Sequence, residues 1–192
     1  VLCTGYLGEM IETAVGIGTQ FGLAVSYSPD GPLPLGTAGA VRKALPLLGE
    51  SFLVLFGDSY LDCDYKAVWR AFHRSGKSGL MTVYLNDEAL APSNVQFADG
   101  MIVAYEKKMQ SPHMRHIDYG LSAYRASAFE TVPPKRYVDL VEVNHRLIAN
   151  RDMIGLEVAQ RFYEIGSAEA MAETAAFLTS RSSVVQNPPD SL

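Results

Sequence analysis

The tetrapeptide Phe56-Gly57-Asp58-Ser59 sets a carboxylate just beyond the continuous apolar run Phe52-Leu53-Val54-Leu55-Phe56. An acid at the carboxyl end of a fully buried strand stands where open α/β sheets bind ligands. A hard oxygen ligand there suits Mg²⁺, which takes few protein oxygens and completes its shell with water and phosphate. The alternative is an Asp that caps the following turn. Asp62 and Asp64 lie close by; they are candidate ligands or caps of a helix from Tyr65.

A second segment, Leu35-Gly36-Thr37-Ala38-Gly39-Ala40-Val41, has small residues closing a loop and opening a helix. Free backbone N–H groups at a helix start bind anions or a base edge, and glycines let a flat ring approach the main chain. Small residues serve close helix packing equally well. Tyr105-Glu106-Lys107-Lys108 ends a strand with a cation able to neutralise a phosphate, or with a solvated strand end. Asp118, Tyr119 and Gly120 put an acid, an aromatic and a glycine on a strand, either to read sugar hydroxyls or to satisfy backbone donors. Phe162-Tyr163-Glu164-Ile165-Gly166-Ser167 ends a strand on a carboxylate that is a second metal ligand or a complement to the next helix N-terminus. His113, Arg115 and His116, with Lys107, suggest a local cationic patch. No zinc spacing and no nucleophile–His pair accompanies them.

The elements that position these groups follow from hydrophobic period and turn chemistry. Val1–Tyr6 reads as a buried strand, and 8–21 as a helix with Met10, Ile11, Ala14 and Val15 at helical spacing. Leu23–Ser28 reads as a strand closed by the turn Pro29-Asp30-Gly31-Pro32. Helices are predicted over Thr37–Leu48, with Pro46 disturbing the last turn, and over Tyr65–Ser75; strands over Phe52–Phe56 and Gly79–Leu85. The order β-α-β-α-β-α-β implies an α/β, Rossmann-like, doubly wound and mostly parallel sheet. After Asn86 come a hairpin turning on Asp99-Gly100, a strand over Ile117–Tyr124 and an amphipathic helix over Val138–Asn150. Short strands are predicted at Gly155–Gln160 and Phe162–Ile165, and a helix at Ser167–Leu178. One domain over 1–180 and a flexible tail over 181–192 are expected.

The 192 residues are 48% hydrophobic and 19% charged, an ordinary globular balance. A net charge of −5 disfavours a nucleic-acid surface, which needs a basic stripe, and leaves room for a small anionic substrate. No apolar run reaches a membrane span. Cys3 and Cys63 lack metal or redox spacing and read as reduced thiols of a cytoplasmic protein.

Taken in order, the segments resemble the sugar-1-phosphate nucleotidyltransferase family, which makes nucleotide-sugars. The set is Gly5-Tyr6-Leu7-Gly8, Leu35 to Ala40, Phe56-Gly57-Asp58-Ser59, Ser93-Asn94-Val95, Tyr105-Glu106-Lys107, Ile117-Asp118-Tyr119-Gly120 and Phe162 to Ser167. It spans Val1 to about Leu178 and looks closest to the mannose-1-phosphate or heptose-1-phosphate guanylyltransferase-like branch. The resemblance implies that Gly36, Thr37, Ala38, Gly39 and Gly57 border the nucleotide, with GTP favoured. It implies that Asp58 and Glu164 hold Mg²⁺ and that Lys107 meets the sugar phosphate. Asn94, Glu106, Asp118, Tyr119 and Gly120 would then lie near the sugar. The implied reaction is attack of a sugar-1-phosphate oxygen on the α-phosphorus of an NTP with loss of pyrophosphate.

Two departures stand out. Many relatives carry Asp where this chain has Glu164. The family also opens with a strand and a glycine-rich loop bearing Arg, followed by Lys, none of which precedes Val1 here. The resulting expectation is an N-terminally truncated domain that covers exposed sheet edge by homo-oligomerisation. Two competing expectations remain: a catalytically impaired relative that binds nucleotide or pairs with a copy, and a glycosyltransferase that consumes an NDP-sugar.

Overall fold

The computed structural model describes residues 1–86, 92–107 and 111–186, with side chains to 181. Lys108 and the last six residues of the expected tail lie outside them.

The chain opens with β1 (Leu2–Thr4), α1 (Gly8–Val15) and β2 (Tyr27–Pro29). β1 and β2 pair in parallel as a separate two-stranded sheet. The second strand falls later than the expected Leu23–Ser28, because Gly18 and Gly22 adopt left-handed φ around a 3₁₀ turn at Thr19–Phe21. Met10, Ile11, Ala14 and Val15 stand at helical spacing in the sequence, but the helix ends at Val15 rather than Phe21. α1 buries no residue, and Met10 and Ile11 are 64% and 42% exposed. The helical period is present, but no described element packs over that face.

α2 (Gly36–Ala44) passes into a 3₁₀ turn at Leu45–Leu47, as Pro46 dictates. β3 (Ser51–Leu55) and β4 (Ser59–Leu61) flank the Phe56–Asp58 turn. α3 (Tyr65–Ser75) is capped by Asp64, whose carboxylate accepts the Ala67 N–H at 2.9 Å, and it ends at Gly76 with φ 67°. Asp64 is therefore a cap.

β5 (Gly79–Leu85), β6 (Val95–Ala98), β7 (Met101–Tyr105), β8 (His116–Arg125) and β9 (Met153–Val158) join β3 in a six-stranded sheet ordered β3-β8-β5-β9-β7-β6. α4 (Leu140–Ala149) precedes β9; β10 (Phe162–Glu164) and α5 (Ala168–Gln186) close the described chain. α5 runs past the expected end at Leu178. Parallel pairing occurs at β1–β2 and β5–β9. The other described pairings are antiparallel; β8 lies in the sheet between β3 and β5, antiparallel to both. Helices nonetheless cover both faces, as the doubly wound reading requires.

Alternation along β8 divides the core. Tyr124 joins Phe52, Met81, Phe129 and Val143 on the α2/α4 side. Tyr119, Leu121 and Ala123 join Val68, Phe72 and Leu80 on the α3 side. No helix among the described residues is long and apolar enough to cross a membrane. Cys3 and Cys63 are free thiols, each with its pKa raised by burial.

Candidate active site

β4 and β10 create the acidic end of the site. They pair antiparallel, setting Glu164 opposite Ser59, one residue from Asp58. The Ile165 N–H donates to the Asp58 carbonyl at 3.0 Å, and the Ser59 hydroxyl donates to the Asp58 carboxylate at 3.2 Å. No described side chain forms an ion pair with Asp58 or Glu164. α5 secures this pair of strands. Its Thr174 hydroxyl donates to the Glu164 carbonyl at 2.8 Å, and Phe177 stacks on Tyr163 with centroids 4.0 Å apart. β4 is invisible to periodicity, since three residues carry no period and its partner comes from the far end of the chain. Asp62 is turned to Arg181 of α5.

A pocket of about 310 Å³ opens beside these carboxylates. Asp58, Asn94, Lys107, Asp118, Tyr119, Gly120 and Glu164 all contribute to its wall. Asp118 is held by a β-bulge: the β5–β8 register jumps between Met81 and Val83, and Gly120 adopts φ 93°. The Gly120 N–H donates to the Asp118 carboxylate at 3.0 Å, and the Tyr105 hydroxyl bonds the same group. Burial raises the Asp118 pKa against those bonds and the Lys107 ammonium. Burial, together with the charge of Asp118, also pushes the Tyr105 phenol upward and keeps it protonated. Asn94 knits the site together. Its side-chain oxygen accepts the Asp118 N–H at 2.9 Å, and its carbonyl accepts the Glu106 N–H at 2.9 Å.

Tyr119 reaches the wall, but its ring is 1% exposed and packs edge-on to Phe162 at 5.9 Å. Strand alternation points its ring away from Asp118 and into the α3-side core. Glu106 faces His145, with Oε1 3.6 Å from Nε2. The expected cationic patch does not assemble: the His116 ring is buried against Glu157 at 2.8 Å, and Lys107 meets the Asp139 carboxylate. Nothing in the local sequence marks Asp139 as a site residue. Its visible signal is the Asp139-x-x-Glu142 capping box, which predicts a helix start but not a lysine partner.

A second cleft, about 480 Å³, lies between β1 and β3 and is lined in part by Thr4, Gly36, Thr37, Phe56 and Gly57. At the start of α2, two of the N–H groups that the composition suggests are free are taken by the chain itself. Ala38 and Gly39 both donate to the Val138 carbonyl, at 3.0 and 3.2 Å. Their glycines serve approach of chain to chain: a Cβ on Gly36 would stand 2.6 Å from the Val138 oxygen, and one on Gly39 2.8 Å from the Arg136 oxygen. Gly36 and Thr37 still face the cleft. Phe56 belongs to both cavities, with Gly57 lining the cleft and Asp58 the pocket.

The model of the family described as "Nucleotidyl transferase" matches residues 1–181. The N-acetylmuramate alpha-1-phosphate uridylyltransferase of Neisseria meningitidis is 42% identical over 71 residues, covering 36% of this chain and 31% of the relative. The D-glycero-alpha-D-manno-heptose 1-phosphate guanylyltransferase of Aneurinibacillus thermoaerophilus is 31% identical over 110 residues, covering 56% and 46%. Each match therefore spans less than half of the curated relative. HddC from Yersinia pseudotuberculosis superposes with a TM-score of 0.75 at 18% identity, over 92% of this chain and 77% of its own, and so shares the fold.

Proposed function

The chain belongs to the nucleotidyl transferase family, and on that premise we propose that it joins an NTP to a sugar-1-phosphate, giving an NDP-sugar and pyrophosphate in a Mg²⁺-dependent reaction. The observation that carries this reading is the Phe56–Asp58 turn. It separates a cleft edged by Gly36, Thr37 and Gly57 from a pocket holding Asp58, Glu164, Lys107 and Asp118. The nucleotide is assigned to the cleft and the sugar-1-phosphate to the pocket, so the two reactants meet at Asp58.

The chemistry fits the groups present. An oxygen of the sugar phosphate attacks the α-phosphorus, the bond to the β-phosphate oxygen breaks, and pyrophosphate leaves with the electron pair. Such transfer depends on alignment and charge neutralisation more than on a proton donor. Two carboxylates without described cationic partners, Glu164 on β10 and Asp58 just ahead of its partner strand β4, match the oxygen-donor set that Mg²⁺ shares with phosphates. When bound, the ion would neutralise charge on the reacting phosphates. The Lys107 ammonium would face the sugar phosphate. Asn94, Glu106, Asp118 and the Gly120 backbone would line the sugar, and Ala38 and Gly39 support the loop without donating to the nucleotide.

GTP is the favoured donor, with UTP as the first alternative, since relatives bear both guanylyl and uridylyl names. We place the protein in the cytoplasm, consistent with two unpaired thiols. We also propose a homo-oligomer, on the strength of the exposed apolar face of α1.

The test is pyrophosphate release with a panel of NTPs and sugar-1-phosphates. A productive pair whose pyrophosphate release Asp58→Ala lowers on the order of a hundred-fold is the expected result. Release no higher than background, with Asp58→Ala indistinguishable from the parent, would sink the reading. Consumption of an NDP-sugar without pyrophosphate would replace it with glycosyl transfer.

A further inference from the structure

Lys107 does not stand alone at the pocket wall. Its ammonium lies 3.1 and 3.2 Å from the two carboxylate oxygens of Asp139. Asp139 also caps α4: Oδ1 accepts the Val141 N–H at 2.9 Å, and Glu142 completes the capping box. Capping alone needs only a neutral oxygen, which Asn or Ser supplies. The carboxylate adds a negative charge, and that charge faces Lys107. Burial pushes the Asp139 pKa up, but the Val141 N–H and the Lys107 ammonium outweigh it and hold it below the ordinary carboxylate value.

The residues flanking Asp139 are bonded to the other cavity. The Val138 carbonyl takes the N–H groups of Ala38 and Gly39, and the Val138 N–H donates to the Leu35 carbonyl at 2.8 Å. The Leu140 N–H donates to the Thr37 hydroxyl at 2.8 Å. One turn on, His145 Nε2 contacts the Tyr105 carbonyl at 2.7 Å. The segment from Val138 to His145 thus ties the loop at the cleft to the strand end that carries Glu106 and Lys107.

We propose that Asp139 is a positioning residue that pre-orients the Lys107 ammonium for the phosphate of a sugar-1-phosphate. Through Val138 and Leu140 it holds that cation in register with the Gly36–Gly39 loop. This rests on the nucleotidyltransferase reading of the pocket. An ammonium has three donors; the Asp139 carboxylate draws two and leaves one for an incoming phosphate oxygen. A lysine held in place loses less rotamer freedom on binding than one that must be recruited from solvent.

Two variants separate positioning from capping. Asp139→Asn keeps a cap oxygen and removes the charge. Glu142→Gln alters the reciprocal half of the capping box and leaves the Lys107 contact alone. With a pair the parent turns over, Asp139→Asn should raise the KM for sugar-1-phosphate about ten-fold, with kcat and the KM for NTP within about two-fold. Glu142→Gln should leave all three near the parent values, and Asp139→Asn should add little to Lys107→Met. Equal effects from Asp139→Asn and Glu142→Gln, or full additivity with Lys107→Met, would overturn the proposal.

A second readout needs no turnover. The ε-methylene NMR resonance of Lys107 is followed as inorganic phosphate is titrated into the full chain. It should respond in the parent and need about ten-fold more phosphate in Asp139→Asn. A parent resonance indifferent to phosphate, or an unchanged midpoint in Asp139→Asn, also overturns the positioning role. A parent that releases no pyrophosphate yet gives the expected titration sinks the enzyme reading and keeps the lysine clamp. An active parent with a silent Asp139→Asn does the reverse.

Discussion

The Asp58 carbonyl accepts the Ile165 N–H at 3.0 Å, clipping together two segments from opposite halves of the chain. Each segment brings one carboxylate, and both line the same pocket. A clip made by backbone survives changes to either side chain, so the two acids can be removed one at a time without dismantling the strand pair.

Asp58→Ala and Glu164→Ala should each lower pyrophosphate release on the order of a hundred-fold while leaving the melting temperature near that of the parent. Mn²⁺ should raise the melting temperature of the parent by mass action and not that of the double variant. EDTA should abolish turnover, and added Mg²⁺ should restore it. Differential scanning fluorimetry beside the release assay checks both; equal Mn²⁺ stabilisation of parent and double variant would remove these carboxylates as ligands.

Gly120→Ala should destabilise the fold by about 1–3 kcal/mol, because φ 93° lies where L side chains are strained. The added methyl would also stand 3.4 Å from a Phe56 ring carbon. The same change disturbs the bulge that aims Asp118. Urea unfolding measures the cost, and a midpoint equal to that of the parent would show that the bulge relaxes freely.

Asp118 supplies a pH signature. Its folded pKa is raised, chiefly by burial. The stability it contributes is therefore fully present below the unfolded carboxylate value of about 4 and is lost as pH rises through the folded value. Asp118→Asn has no such proton to release. Melting temperatures measured across acid to neutral pH should shift in favour of Asp118→Asn as pH rises, then run parallel. A constant difference at every pH would contradict the raised value.

Homo-oligomerisation predicts that light scattering finds a species larger than one chain. Met10→Asp together with Ile11→Asp should shift it toward the monomer, because charge on the exposed face of α1 opposes apolar contact. A monodisperse monomer for the parent would rule out that assembly.

Much of this architecture is written locally. The helix from Tyr65 to Ser75 appears at the bounds the sequence predicts, and of the two readings open for Asp64 the cap is the one the structure shows. The hairpin turns on Asp99-Gly100, both with positive φ, because that dipeptide tolerates the left-handed region. Asp58, Lys107, Asp118, Gly120 and Glu164 stand out by residue type and position in the sequence, Asn94 enters through the family resemblance, and all six line one pocket.

What local pattern could not supply is partnership. The β4–β10 pair, the Lys107–Asp139 contact and the use of the Ala38 and Gly39 N–H groups by Val138 each join residues distant in sequence. Period and turn chemistry report how a residue relates to its near neighbours; they do not state which remote backbone group will occupy a donor. The sequence by itself determined which residue types stand at strand ends and helix starts. Only the tertiary structure decided which of them face the same cavity, because close packing and hydrogen-bond satisfaction are settled between segments after each segment has formed.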